Sequence, residues 1–393
     1  MDRKQDRTRK QKIKRRLIVI DIVVVVLVAT YLTIAFSNIP FIAKWRTLYI
    51  ETAMTTGSHQ WLATMFFPKS VVDEVMNRYY DELAKQKELE SHWQEEEEQS
   101  RAETEKERFF QDYWELDSPS VRNYLEQHPE LTAGGYDQIL IEDLDHELGL
   151  YSSEGDAVCV INTANNLIIL GLSGDGYVGK MAICKDPSQL KLVKSKNYGS
   201  YGQQIDGFCK DNNAIVGINA SRFKDVGGHG SGGQVVGSMI IDGVEYGNRP
   251  KKYGMKFCGM KADNRMYIAN YEDITVAEYR WGMEGVPALI VDGERALDVS
   301  MFMGIQPRAC LGQTRQGDVQ LLILDGRQPG YSLGATAVDC MDILVRYQCY
   351  QAMNLDGGSS AVMYYNGSYI TKSSSVSGIG RYGPDAFILT RNK

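Results

Sequence analysis

Residues 17–36 read LIVIDIVVVVLVATYLTIAF, twenty consecutive residues with one charge, Asp21. That is about the length a helix needs to cross a bilayer, whereas the apolar part of a cleaved leader runs to about 7–15 residues. Ala35-Phe36-Ser37 would pass as a cleavage site, but the run is too long, and an uncleaved anchor is the expectation. Residues 1–16 hold nine Lys and Arg against two Asp. Beside an apolar span such a flank stays in the cytoplasm, so everything after about residue 37 is expected outside the membrane. The same adjacency argues against a basic nucleic-acid-binding tail. With a net charge of −7 for the whole chain, the acidic surplus lies in the outer part.

Residues 37–69 are mixed and aromatic, apolar enough to lie on the membrane surface or to pack against a later domain. From 71 to about 114 there is no glycine or proline, and Val72, Val75, Tyr79 and Leu83 recur at helical spacing before an acidic run at 95–98. A charged helical stalk is expected there, with a solvated linker as the alternative. Ser118-Pro119 opens a short capped helix reaching Gln127. After about residue 135 short apolar runs alternate with glycine-rich turns: AVCVI, NLIILGL, KMAICK, AIVGINA, SMIIDGV, MYIAN, PALIVDG, VQLLILDG. These have strand length and strand composition. The seven cysteines form no C-x-x-C pair and have no zinc-like histidine spacing; several sit inside apolar runs, where buried free thiols are expected.

Near the end, 319–324 reads as a strand, 336–350 as a helix and 352–355 as a second strand. Such a βαβ unit places both strands parallel in one sheet with their carboxyl ends at one edge, so Asp325 and Asp356 should converge. The fold class is therefore α+β (mixed α/β). A basic tail (1–16), a transmembrane anchor (17–36) and a juxtamembrane segment with stalk (37–115) precede a sheet-rich extracellular domain (116–393) with a C-terminal βαβ unit.

Both aspartates occur as Asp-Gly, which also serves simple turns, and that is the reading for Asp242 and Asp292. At the carboxyl ends of strands the pair gains a further use. Gly357 and Gly358 would let a ligand approach the backbone and offer N–H groups to an anion, with Ser359 and Ser360 adding hydroxyls. Arg308, fixed by Pro307, is suited to grip a phosphate or carboxylate, or else makes a salt bridge. Asn219 would orient a sugar hydroxyl or cap a turn. Thr336 and Asp339 have capping-box spacing in the helix entry SLGATAVD, which also holds Ser332. His229, in the glycine-rich GGHGSGG, is a titratable group in a loop. GDGYVG at 174–179 fits G-x-G-x-x-G but leads into a strand, so it reads as a turn; the 227–233 cluster lacks a P-loop ending.

Taken in order, these motifs resemble the phosphodiester glycosidase family, over roughly 155–393. The family's N-G-G-F-F run matches NASRF, with Asn219 and Phe223 kept and Ala220 and Ser221 in place of glycines. P-R-T-A-I-G matches PRACLG, V-D-G-R matches LDGR ending at Arg327, and S-x-G-x-T-x-x-E matches Ser332, Gly334, Thr336 and Asp339. D-G-G-G-S matches Asp356 to Ser360, with Ser359 in the third glycine position. The resemblance implies hydrolysis of a sugar-1-phosphodiester at the anomeric C–O bond, in cell-surface or exopolysaccharide glycans. It implies Asp356, Asp325, Asp339 and Arg308 as catalytic, with Asn219, Arg327, Ser332, Thr336, Gly357, Gly358 and Ser360 around the substrate; the loop residue His229, outside the matched motifs, is a further candidate beside them. No cofactor is expected; a calcium held by the acids is conceivable, although no loop has calcium-motif spacing. The expected partners are a carbohydrate phosphodiester and, through the N-terminal helix, the membrane. The rival readings are a glycan-binding or polymer-assembly protein with the same pocket, and a glycosyl-phosphate transferase.

Overall fold

A computed structural model describes residues 2–56, 59–93, 102–225, 230–248, 255–285, 287–298 and 303–392. The chain divides into two compact units, Met1–Arg78 and Tyr79–Lys393.

The first unit is helical. Asp2–Phe36 forms one helix whose Lys14–Phe36 part is long and apolar enough to cross a membrane, and that part is exposed. Two further helices, Pro40–Met54 and Gln60–Phe66, follow before Lys69–Lys85 begins.

Among the described residues, the second unit holds three antiparallel sheets. The largest has nine strands in the spatial order Leu140–Glu142, Ala157–Asn162, Leu167–Gly174, Tyr177–Cys184, Val319–Leu324, Arg308–Thr314, Cys349–Asn354, Ala288–Val291 and Glu294–Arg295. A five-stranded sheet centres on Tyr279–Gly285, and another on Ala214–Asn219 with Asp385–Thr390. Their inner faces share one core: Leu167, Ile218, Trp281, Met283, Leu311, Leu321, Met353 and Phe387 belong to a single buried cluster. Trp281 and Phe387 meet edge to face with centroids 5.0 Å apart. Strand-rich β-branched sequence and this shared apolar interior make the domain sheet-rich, as expected.

The expected βαβ unit is present in a modified form. Val319–Leu324 and Cys349–Asn354 run in the same direction, joined by the helix Ala337–Arg346, but Arg308–Thr314 lies between them and pairs antiparallel with both. The sequence reading had no means of seeing this inserted strand, because antiparallel pairing brings it from upstream. Its effect is to put Arg308 opposite Leu324, beside the edge where Asp325 and Asp356 emerge.

Asp242-Gly243 and Asp292-Gly293 form two-residue turns with positive φ throughout, which suits a tight hairpin turn. The 174–179 motif is likewise a hairpin turn between two strands. All seven cysteines are free and buried. Residues following the Lys69–Lys85 helix lie on the domain: Gln86 donates to Ala296 O and accepts from the Ala288 amide, Ser91 N donates to Ile268 O, and His92 N donates to the Asp292 carboxylate. The acidic run at 95–98 lies outside the described residues. Further on, the helix Glu105–Asp112 buries Phe109 and Phe110, and Pro119–Gln127 is capped by Ser118. Between them Glu115, fully buried, meets Lys185, which also pairs with Asp318.

Candidate active site

Backbone hydrogen bonds continue past the end of Cys349–Asn354 and deliver Asp356. The Leu355 amide donates to Ala309 O and the Asp356 amide to Ala220 O. Asn219 then fixes the loop from the neighbouring sheet, donating through Nδ2 to Asp356 O at 2.5 Å and accepting from the Val362 amide. Both ends of its amide are thus engaged with backbone, so its role here is to hold the Asp356 loop. Gly357 is needed because a Cβ there would come within 2.6 Å of Pro307 O. The Gly358 amide donates to that same carbonyl. This corrects the expectation that it is available to an anion; the tight packing of the two motifs uses it.

Asp356 is half-buried, and burial pushes its carboxyl up to about 6 against the opposing effect of a hydrogen bond from Ser360. Three guanidinium groups act on it: Arg222 and Arg381 stabilise its charged form, and Arg327 feels its charge in return. Arg327 sits in the left-handed region at φ 59° and lies over Gly358, where a Cβ would be 3.1 Å from Nη1. Arg381 is held by Asp225 in a two-bond pair (2.5 and 2.9 Å) and lies over the Phe223 ring, 4.7 Å from its centroid. Behind them Asp385, 1% exposed, accepts from Ser221 N at 2.9 Å and Ser221 Oγ at 2.5 Å, and burial raises it to about 7. Its proximity to Asp356 adds to that rise.

Asp325 ends Val319–Leu324, two strand spacings from the strand that leads to Asp356, about 10 Å in the sheet plane. The two acids therefore share an edge but not a hydrogen-bond network. Asp325 Oδ2 accepts from Tyr331 Oη at 2.8 Å and from the Lys372 amide at 2.9 Å, and its carbonyl accepts from Ser332 Oγ. Burial raises it to about 6. It lines a cavity of about 200 Å³ together with His146, Lys180 and Tyr331.

Arg308 lies between the two strand ends, 2% exposed. Its Nε donates to Ala335 O, and one Nη donates to Met303 O and Gly304 O, both at 2.8 Å. Its guanidinium thus binds backbone carbonyls and joins the 303–304 turn to the helix entry. Gly326 packs directly against that region, since a Cβ would meet Gly334 Cα at 2.7 Å and Pro307 N at 2.8 Å. Thr336 and Asp339 form a complete capping box, which occupies the Asp339 Oδ2 atom. Ser332 accepts from the Val178 amide as well as donating to Asp325 O. His229 lies outside the described residues. Among the described residues no group of three or more His, Cys, Asp or Glu is placed to hold a metal ion.

Sequence reasoning missed Arg222, Asp225, Arg381 and Asp385. Arg222 follows Asn219 within NASRF and could have been noticed there; Arg381 stands in the loop IGRYGP, whose composition reads only as a turn, and Asp385 opens the strand that follows it.

Comparison with known proteins covers this region. A curated relative, the SPbeta prophage-derived uncharacterized protein YomE of Bacillus subtilis (strain 168), is 29% identical over 216 residues, 50% of this chain. The chain spans only about a third of that relative's length, 31%. Among solved structures, the zebrafish N-acetylglucosamine-1-phosphodiester alpha-N-acetylglucosaminidase catalytic domain, auto-inhibited by its pro-peptide, is similar at 18% identity and a TM-score of 0.47, covering 58% of this chain and 83% of its own. A hypothetical protein from Synechocystis is similar at 14% identity and a TM-score of 0.43, over 60% of this chain and 64% of its own. Residues 212–390, which hold Asn219, Arg308, Asp325 and Asp356, match the family model described as phosphodiester glycosidase.

Proposed function

We propose that the protein is a membrane-anchored, extracytoplasmic hydrolase that cleaves sugar-1-phosphodiester bonds in cell-surface or exopolysaccharide glycans. The observation that carries this reading is the grouping of Arg222, Arg327 and Arg381 about the Asp356 carboxylate. Breaking the anomeric C–O bond turns a phosphodiester into a phosphomonoester and adds negative charge to the leaving group. Guanidinium groups aimed at that developing charge favour the transition state over the bound substrate. Asp356 faces the complementary need. A carboxylate beside the anomeric carbon supports the oxocarbenium-like transition state, either by attacking it or by taking a proton from water. Water supplies OH to the sugar and its proton to the phosphate, so sugar and phosphomonoester are the products.

In this reading Asn219 and Ser360 hold Asp356 in place, Asp325 serves a neighbouring subsite for sugar hydroxyls or water, and Arg308 and Asp339 build the edge that supports both. The basic flank and the apolar helix support a topology with the domain outside. Membrane-inserted full-length protein given a panel of sugar-1-phosphodiesters tests the assignment. Sugar release that falls about 10²- to 10⁴-fold in Asp356→Asn, with folding intact, is the expected result. Binding without release in the unaltered protein would make it a glycan-binding protein instead, and transfer of the sugar to an added acceptor in preference to water would make it a transferase.

A further inference from the structure

The helices between the apolar span and the domain have no part in the reaction above, yet they expose large aromatic side chains. We propose that Pro40–Met54 and Gln60–Phe66 lie in the outer interface of the bilayer, with their exposed rings among the lipid headgroups and upper acyl chains. This goes beyond the catalytic assignment and rests on Lys14–Phe36 crossing the membrane.

Phe41 is 71% exposed and Trp45 52%, and Tyr49 is exposed as well. At spacings of four, these residues form one stripe along Pro40–Met54, and the first two rings meet edge to face at 6.3 Å. Packed against this helix, Gln60–Phe66 repeats the pattern with Trp61 (56%) and Met65 (68%), and with Phe66 exposed. Grouped apolar exposure of this kind marks an interaction surface. Its position identifies the occupant. Only Ser37, Asn38 and Ile39 separate Phe36 from Pro40, a reach of about 11 Å at full extension. Arg46 shortens even that, donating to Ile34 O at 3.2 Å and Ser37 O at 2.8 Å and so tying the second helix to the last turn of the first. Those carbonyls otherwise lack intrahelical partners. A span ending at Phe36 therefore holds the stripe at headgroup depth. Trp and Tyr favour that depth, where an apolar ring can stay in hydrocarbon while its N–H or O–H meets water.

Full-length protein in phosphatidylcholine vesicles, with and without bromine on the acyl chains, tests the inference. Trp45 and Trp61 are two of five tryptophans, so bromine placed near the headgroup should remove up to two fifths of the tryptophan emission, and bromine at the chain ends less. The double variant Trp45→Phe, Trp61→Phe should lose this quenching. Emission unchanged by bromine, in protein that resists alkaline carbonate extraction, overturns the interfacial placement alone. Quenching that persists in the double variant assigns it to other tryptophans and overturns it too. Protein released by carbonate overturns the span, and the inference with it.

Discussion

Replacing Asp385 by asparagine should change how stability depends on pH. In the folded domain its carboxyl is buried, accepts two hydrogen bonds from Ser221 and is raised from 3.8 to about 7. A folded value above the unfolded one means that the folded state holds the proton more tightly. The associated stability is complete below about pH 4 and is lost as pH rises to about 7. At about 1.4 kcal/mol per unit, the shift corresponds to a loss on the order of 4 kcal/mol across that window. Asparagine keeps a side-chain oxygen to accept from Ser221 and has nothing to ionise. Relative to the parent, Asp385→Asn should therefore gain stability between pH 4.5 and pH 8 by roughly 2–4 kcal/mol, the reference mutation cost cancelling in the comparison. Urea unfolding of the Tyr79–Lys393 unit at both pH values, followed by tryptophan fluorescence, measures the difference. A gap between parent and variant that is the same at the two pH values, within about 0.5 kcal/mol, would refute the argument that burial holds this proton.

Two further outcomes come from the charges. Arg222→Ala or Arg381→Ala should lower kcat/KM for a sugar-1-phosphodiester by about 10²-fold, with a smaller loss on an uncharged aryl glycoside if that substrate turns over at all; equal losses on both would mean that the arginines do not meet the phosphate. Lys185→Met should leave Glu115 and Asp318 as unpaired buried acids and cost about 3–5 kcal/mol, read from the urea midpoint, and a loss under about 1 kcal/mol would show that the three groups are not coupled as placed.

Much of the domain was legible because its strands are short apolar runs bounded by turns, and because a helix between two strands implies their common direction. The strand Arg308–Thr314 was not read as a strand from the sequence, where only Pro307-Arg308 stood out, and its place between both neighbours was not legible either. Antiparallel pairing partners are set by the shared core and by register, which no local pattern encodes. The consequence falls on the site. With a strand inserted, Asp325 and Asp356 stand about 10 Å apart instead of side by side. Each then has its own environment, Tyr331 and the Lys372 amide for one, Ser360 and three arginines for the other.

The altered NASRF stretch is explained by the same geometry. Ser221, standing where the family pattern has glycine, gives both its amide and its hydroxyl to Asp385, while the preceding Ala220 carbonyl receives the Asp356 amide. Consecutive residues of one loop thus tie down the Asp356 backbone and the Asp385 carboxyl, and the charge of the next residue, Arg222, acts on Asp356. A polar side chain at 221 is buried and satisfied, so the departure costs no orphaned hydrogen bond. Its effect is to hold a second acid behind Asp356, where that acid's ionisation would disfavour charge on Asp356 in turn. The substituted stretch thus ties the Asp356 loop to Asp385, and Arg222 adds a positive charge that acts on Asp356.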